Sequence, residues 1–296
     1  MEQFFANYPL PFNETDIASS LDAIRMQNSQ VQFSSDVLKS VFSCIDLTTL
    51  NTADSAFSVR EFCNKVNRFT DTFPSMSNVA AVCVYPVFAP VIKSSLVAPG
   101  VKRAVVAAGF PSSQTFTDIK VLEIRKAVDF GVDEVDVVIS VGEFLDGNHE
   151  FILEEIRLIR DAVGEAHLKV ILETGLLPDI QSIWRASLLA MEAGADFIKT
   201  STGKSPVSAT PEAAFVMLHA IRAFGVVTGK KVGFKPAGGI VTPADALLYY
   251  SLVSVILGDA WLNPQWFRIG ASRLANHLLT EIQLLESGKC NEIAFF

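Results

Sequence analysis

From position 41 onward the chain alternates short apolar runs with longer stretches in which apolar residues recur every three or four positions. That is the pattern of repeated strand and helix units around a parallel sheet. Eight runs read as strands: 41–48, 78–86, 102–110, 134–140, 168–174, 196–202, 232–236 and 267–272. Eight parallel strands with helices between them close a barrel. The expected fold is therefore α/β, a single-domain (β/α)8 TIM barrel.

The helices between these runs carry start and stop signals. Thr242, Pro243 and Asp245 spell a capping box with proline at the first helical position, and Thr210 with Pro211 repeats the entry. Ile152, Ile156, Ile159 and Val163 recur at helical spacing before Gly164, which suits a left-handed C-terminal cap. The apolar run 246–257 is too short to span a bilayer and reads as a buried helix. Residues 1–40 form an N-terminal helical extension packed on the barrel, as a floor cover or an oligomer contact; 41–286 form the barrel and 287–296 a tail.

Strand alternation sorts the ionisable residues, because outward positions pack on helices while inward ones can be polar near the mouth. Ile45 and Leu47 share one face, opposite Asp46 and Thr48; Val82 and Val84 oppose Cys83. Val135, Val137 and Ile139 oppose Asp136; Val170 and Leu172 oppose Lys169 and Glu173; Ile198 opposes Lys199; Phe234 opposes Lys235. One inward set results: Asp46, Cys83, Asp136, Lys169, Lys199 and Lys235. Desolvating an ammonium costs several kcal/mol, so buried lysines are paired or functional. They could be struts salt-bridged to Asp46, Asp136 and Glu173. The functional alternative is amine nucleophilic catalysis. A lysine with the ordinary pKa is neutral about once in 2,500 molecules at pH 7, and each unit of lowering raises that fraction tenfold. Burial and a neighbouring ammonium both lower it, so two close lysines make one of them a nucleophile, with Asp136 near enough to move protons. Alternation alone does not rank Lys199 above Lys235 or Lys169.

Composition narrows the class. Half of the 296 residues are hydrophobic and 19% charged, enough for a large core. A net charge of -8 argues against a nucleic-acid surface, although a small anion could still bind a local basic pocket. The first residues lack the cationic and apolar regions of a signal peptide, and no run is long enough for a membrane span, so a cytoplasmic location is expected. Cys44, Cys63, Cys83 and Cys290 form no CxxC pair and read as reduced thiols; the four histidines show no metal-ligand spacing, which leaves metal chemistry unsupported. Glycines at 203, 238, 239 and 270, with Ser272 opening a helix and Lys204 alongside, follow strands six to eight. Barrel enzymes commonly bind phosphate there, on backbone N–H groups and helix N-termini.

Six segments in order closely resemble deoxyribose-phosphate aldolase, a class I Schiff-base aldolase family: Ile45-Asp46-Leu47-Thr48, Cys83-Val84-Tyr85-Pro86, Glu134-Val135-Asp136-Val137-Val138, Lys169 to Gly175, Phe197 to Gly203 and Phe234 to Gly239. The resemblance implies reversible cleavage of 2-deoxy-D-ribose 5-phosphate to D-glyceraldehyde 3-phosphate and acetaldehyde, with no metal or organic cofactor. It assigns the Schiff base to Lys199, the perturbing ammonium to Lys235 and proton transfer to Asp136. Lys169, Asp46, Thr48, Thr202 and Cys83 match pocket residues; Gly203, Lys204, Gly238, Gly239 and Ser272 match phosphate-binding positions. A small phosphorylated sugar is the expected partner, and a homodimer is compatible. The chain departs from the family in two places. It ends Ala294-Phe295-Phe296 where members carry a terminal tyrosine, and Arg273 stands where a small polar residue is usual.

Overall fold

The computed structural model describes residues 1–30, 33–289 and 291–296, so Cys290 lies outside the described residues. Its strands are β1 (Ile45–Thr48), β2 (Ala81–Val84), β3 (Lys102–Ala107), β4 (Glu134–Val138), β5 (His167–Ile171), β6 (Phe197–Lys199), β7 (Gly233–Lys235) and β8 (Ile269–Ala271). All pair in parallel in the order β7-β6-β5-β4-β3-β2-β1-β8. Single bridges from Phe234 to Phe267 and from Ala237 to Gly270 bring the two ends together. The chain is a (β/α)8 barrel.

Alternation divides the core as expected. Ile45, Leu47, Val82, Val84, Val135, Val137, Val170, Ile198 and Phe234 join the continuous apolar layer between strands and helices. Each such buried side chain contributes roughly 1.5–3 kcal/mol. Inside the barrel, Ala81, Cys83, Ala104 and Val106 form a separate small cluster with Leu50, beside which the charged groups of the interior gather.

The strands are shorter than the apolar runs. Residues 41–43, expected in β1, belong to the helix Ser35–Ser43, whose Ser34 side chain caps the amide of Val37. Leu38, Val41 and Phe42 are its buried stripe, and a short apolar run of this kind fits helix or strand equally well until the cap is recognised. At the other ends the chain peels outward into the mouth. Ala108 (φ 61), Gly109 (φ 72) and Glu173 (φ 53) mark two of those exits.

Thr242 and Asp245 form the reciprocal capping box, and Thr210 caps the amide of Ala213 ahead of Pro211. Gly164 has a positive φ of 59 but a ψ of -123, which is not the left-handed helical cap expected. Arg160 takes the Gly164 and Ala166 carbonyls instead, and the chain turns directly into β5. The helix Pro211–Thr228 is long and apolar enough to cross a membrane by length and composition, but it packs in the ring between Ile180–Glu192 and Pro243–Leu257. The N-terminal helices Glu2–Ala6 and Glu14–Gln30 lie on that ring. Phe5 meets His149, Phe12 meets Trp184, Phe215 and His219, and Trp184 donates to the Tyr8 carbonyl at 2.9 Å.

Candidate active site

The barrel interior holds a continuous charge cluster. Asp136 on β4 is its centre: its Oδ2 accepts from Lys199 Nζ on β6 and Lys235 Nζ on β7, both at 2.7 Å, and its Oδ1 accepts from Lys169 Nζ on β5 at 3.2 Å. The register explains the convergence, since Asp136 stands beside Lys169 and Lys199 beside Lys235 on neighbouring strands. Lys235 also lies 2.5 Å from Asp46 Oδ2 on β1. Below this layer, Lys169 bonds Glu134, and Arg268 spans Glu134 (2.7 Å) and Asp46 (2.6 Å). Four cations therefore face three carboxylates, all at least 95% withdrawn from solvent.

Those contacts set the protonation states. Burial by itself would raise the Asp136 pKa, but Lys169, Lys199 and Lys235 overcome it and hold the carboxyl well below its ordinary value. Burial would lower Lys169 and Lys235, and their carboxylate partners more than compensate, so both stay charged. Lys199 moves the other way. Burial lowers its pKa, Asp136 opposes this, and the Lys235 ammonium adds to the lowering. Of the three lysines it alone is held below its ordinary value.

Geometry makes the same distinction. A cavity of about 390 Å³ opens at the C-terminal mouth of the barrel, and among the inward lysines only Lys199 lines it; Lys169 and Lys235 are fully buried. The far wall is the loops after β6, β7 and β8. Gly203 (φ 75), Gly238 (φ 83) and Gly239 (φ 82) adopt the left-handed backbone there. A Cβ on Gly238 would meet the Ser208 side chain at 2.6 Å and the Gly203 Cα at 2.9 Å, whereas one on Gly239 would meet nothing within 4 Å. Ser272 precedes the helix Arg273–Ser287, makes no side-chain cap, and lines the cavity together with Arg273 at the start of that helix. An amine at one end and an anion cradle at the other suit a short substrate carrying an aldehyde and a phosphate.

Comparison with known proteins gives this geometry a lineage. The DeoC/LacD family aldolase model matches residues 40–257. This chain belongs to the DeoC/LacD aldolase family. It is 46% identical over 256 residues to the deoxyribose-phosphate aldolase of Homo sapiens, covering 83% of this chain and 80% of that one. The Bos taurus enzyme is 46% identical over 248 residues, 80% and 78% of the two chains. Among solved structures, "QR15, an Aldolase" superposes with a TM-score of 0.65 at 29% identity, over 83% of this chain and 99% of that one. The deoxyribose phosphate aldolase of Aeropyrum pernix, described as a tetramer, shares the fold at a TM-score of 0.64 and 23% identity, over 87% and 100%.

The remaining expected residues fall around this aldolase cavity with differing freedom. Thr48 lines it and donates to the Asp46 carbonyl at 2.8 Å. Thr202 lines it too, but its hydroxyl is taken by Glu173 Oε2 at 2.6 Å and it accepts the Lys204 amide at 3.0 Å. The Lys204 ammonium reaches across the mouth to the Leu50 carbonyl at 2.6 Å, tying two rim loops together. Cys83 sits in the barrel wall with its thiol pushed up to about 11 by burial and Asp136. Glu173, paired by alternation with Lys169, instead anchors Thr202. Two members of the cluster escaped the sequence reading. Glu134 shares the face of Asp136 two residues earlier, and Arg268 shares that of Gly270 and Ser272 within the expected run 267–272, so alternation carried a signal for both, although Arg268 itself lies just before β8.

Proposed function

We propose that this chain is a class I aldolase that reversibly cleaves 2-deoxy-D-ribose 5-phosphate to D-glyceraldehyde 3-phosphate and acetaldehyde through a Schiff base on Lys199, serving deoxyribose phosphate catabolism. The observation that carries this reading is the position of Lys199. It is the one inward lysine that lines the cavity, and its partner carboxylate is shared with a second ammonium. Sharing Asp136 Oδ2 with Lys235 favours the neutral amine.

Neutral Lys199 attacks C1 of the open-chain sugar and forms a carbinolamine. Proton transfer through Asp136 and water expels hydroxide as water and leaves an iminium. The C3 hydroxyl gives its proton through water to Asp136, the C2–C3 bond breaks, and its electron pair moves into the iminium to give an enamine and glyceraldehyde 3-phosphate. Protonation at C2 and hydrolysis release acetaldehyde and restore the amine. Gly203, Gly238, Gly239 and the amides after Ser272 hold the phosphate, which fixes C1 against Lys199 and supplies orientation. The buried, unpaired thiols of Cys44, Cys63 and Cys83 support a cytosolic setting.

Release of glyceraldehyde 3-phosphate from deoxyribose 5-phosphate, followed by coupled NADH oxidation, tests the reaction. Turnover by the wild type and none by Lys199→Leu is expected; no release from folded wild-type protein would overturn the proposal.

A further inference from the structure

The charge cluster runs through the barrel from mouth to floor. Lys199 lines the upper cavity, while Arg268 and Glu134 line a separate one of about 560 Å³ at the opposite end. Around Lys199 stand Asp136 and Glu134 from β4, Lys169 from β5, Lys235 from β7, Asp46 from β1, Cys83 from β2 and Arg268 before β8. Lys169, Lys235 and Arg268 suffice to balance Asp46, Asp136 and Glu134. Lys199 is the surplus cation, and the cluster reaches neutrality when that amine gives up its proton.

We infer that Arg268 is a positioning residue that keeps Lys199 in its neutral, nucleophilic form from the far end of the barrel, with Glu134 as its counterweight. This rests on the Schiff-base reading of Lys199. Arg268 does not touch the cavity that would hold substrate. It acts by adding its charge to Asp46 and Glu134, which Lys235 and Lys169 also contact, so that part of the charge of each lysine is left to satisfy Asp136. Without its charge, three lysines would balance three carboxylates and Lys199 would retain its proton. Without Glu134, the surplus of positive charge would grow and Lys199 would lose its proton more easily. The two removals should therefore move the same group in opposite directions, which a purely architectural contact would not do.

The test reads the amine directly. The rate of Lys199 acetylation by acetic anhydride is followed against pH by peptide mass spectrometry in wild type, Arg268→Met, Glu134→Gln and the double variant. The midpoint should rise in Arg268→Met and fall in Glu134→Gln, each by about one pH unit, since one charge acting over roughly 10 Å at an effective dielectric of about 20 has that effect. The double variant removes one charge of each sign, is the safer one to fold, and should return near the wild-type midpoint. Slower acetylation in every variant with an unchanged midpoint, or shifts of the same sign, would overturn the inference. Because no substrate is used, loss of the aldolase reaction itself would appear separately, as wild-type protein that turns over no deoxyribose 5-phosphate.

Discussion

Replacing Lys235 by methionine removes one charge and keeps most of the side-chain volume. Lys199 Nζ and Lys235 Nζ each lie 2.7 Å from the same oxygen, Asp136 Oδ2, so they are within about 5.4 Å of one another, twice that contact. At an effective dielectric of about 20, two ammoniums at that separation repel by about 3 kcal/mol, worth roughly two orders of magnitude in neutral Lys199. In Lys235→Met that repulsion is gone, Asp136 keeps Lys199 protonated, and kcat/KM at pH 7 should fall about 100-fold or more. The sign with pH is fixed. Raising pH removes the proton that the variant now holds, so its activity should recover as pH rises, where the wild type gains little. The assay is kcat/KM for deoxyribose 5-phosphate from pH 6 to 10, with folding checked by circular dichroism. A folded variant with wild-type activity at pH 7, or a loss of equal size at every pH, would refute the argument.

Cys83, with its thiol raised to about 11, should resist iodoacetamide at pH 8 in the folded protein, and Cys83→Ala should keep activity within about tenfold, as peptide mapping and kinetics would check. Gly238→Ala places a Cβ 2.6 Å from Ser208 at a φ of 83, so KM for the phosphorylated substrate should rise at least tenfold while turnover of unphosphorylated deoxyribose changes little. Lys120→Met leaves the buried Glu155 carboxylate without its ammonium, now 2.8 Å away, and urea unfolding should show a loss of about 3–5 kcal/mol.

Much of the site was legible because β-strands report on themselves. Val135, Val137, Val170, Ile198 and Phe234 point into the helix layer, and their neighbours Asp136, Lys169, Lys199 and Lys235 had to point inward. The capping boxes were legible for the same local reason. Height along the barrel axis was not. Alternation gives a face but no depth, and depth separates Lys199 at the cavity from Lys169 and Lys235 beneath it. Contacts between distant segments were equally hidden: Arg268 to Asp46, Lys204 to the Leu50 carbonyl and Lys120 to Glu155 depend on tertiary packing rather than period. The tail is a further case. Its last residues pack on Phe42, Phe69 and Phe73, and the amides of Phe295 and Phe296 both donate to Asn276 Oδ1, an arrangement with no periodic signal.

The most direct measurement of the covalent mechanism is borohydride trapping. Protein is incubated with deoxyribose 5-phosphate, reduced with sodium borohydride and digested, and the modified lysine is located by mass spectrometry. The mechanism requires a reduced adduct on the peptide carrying Lys199, absent from Lys199→Leu. An adduct on Lys169 or Lys235, or none at all from folded protein, would contradict it.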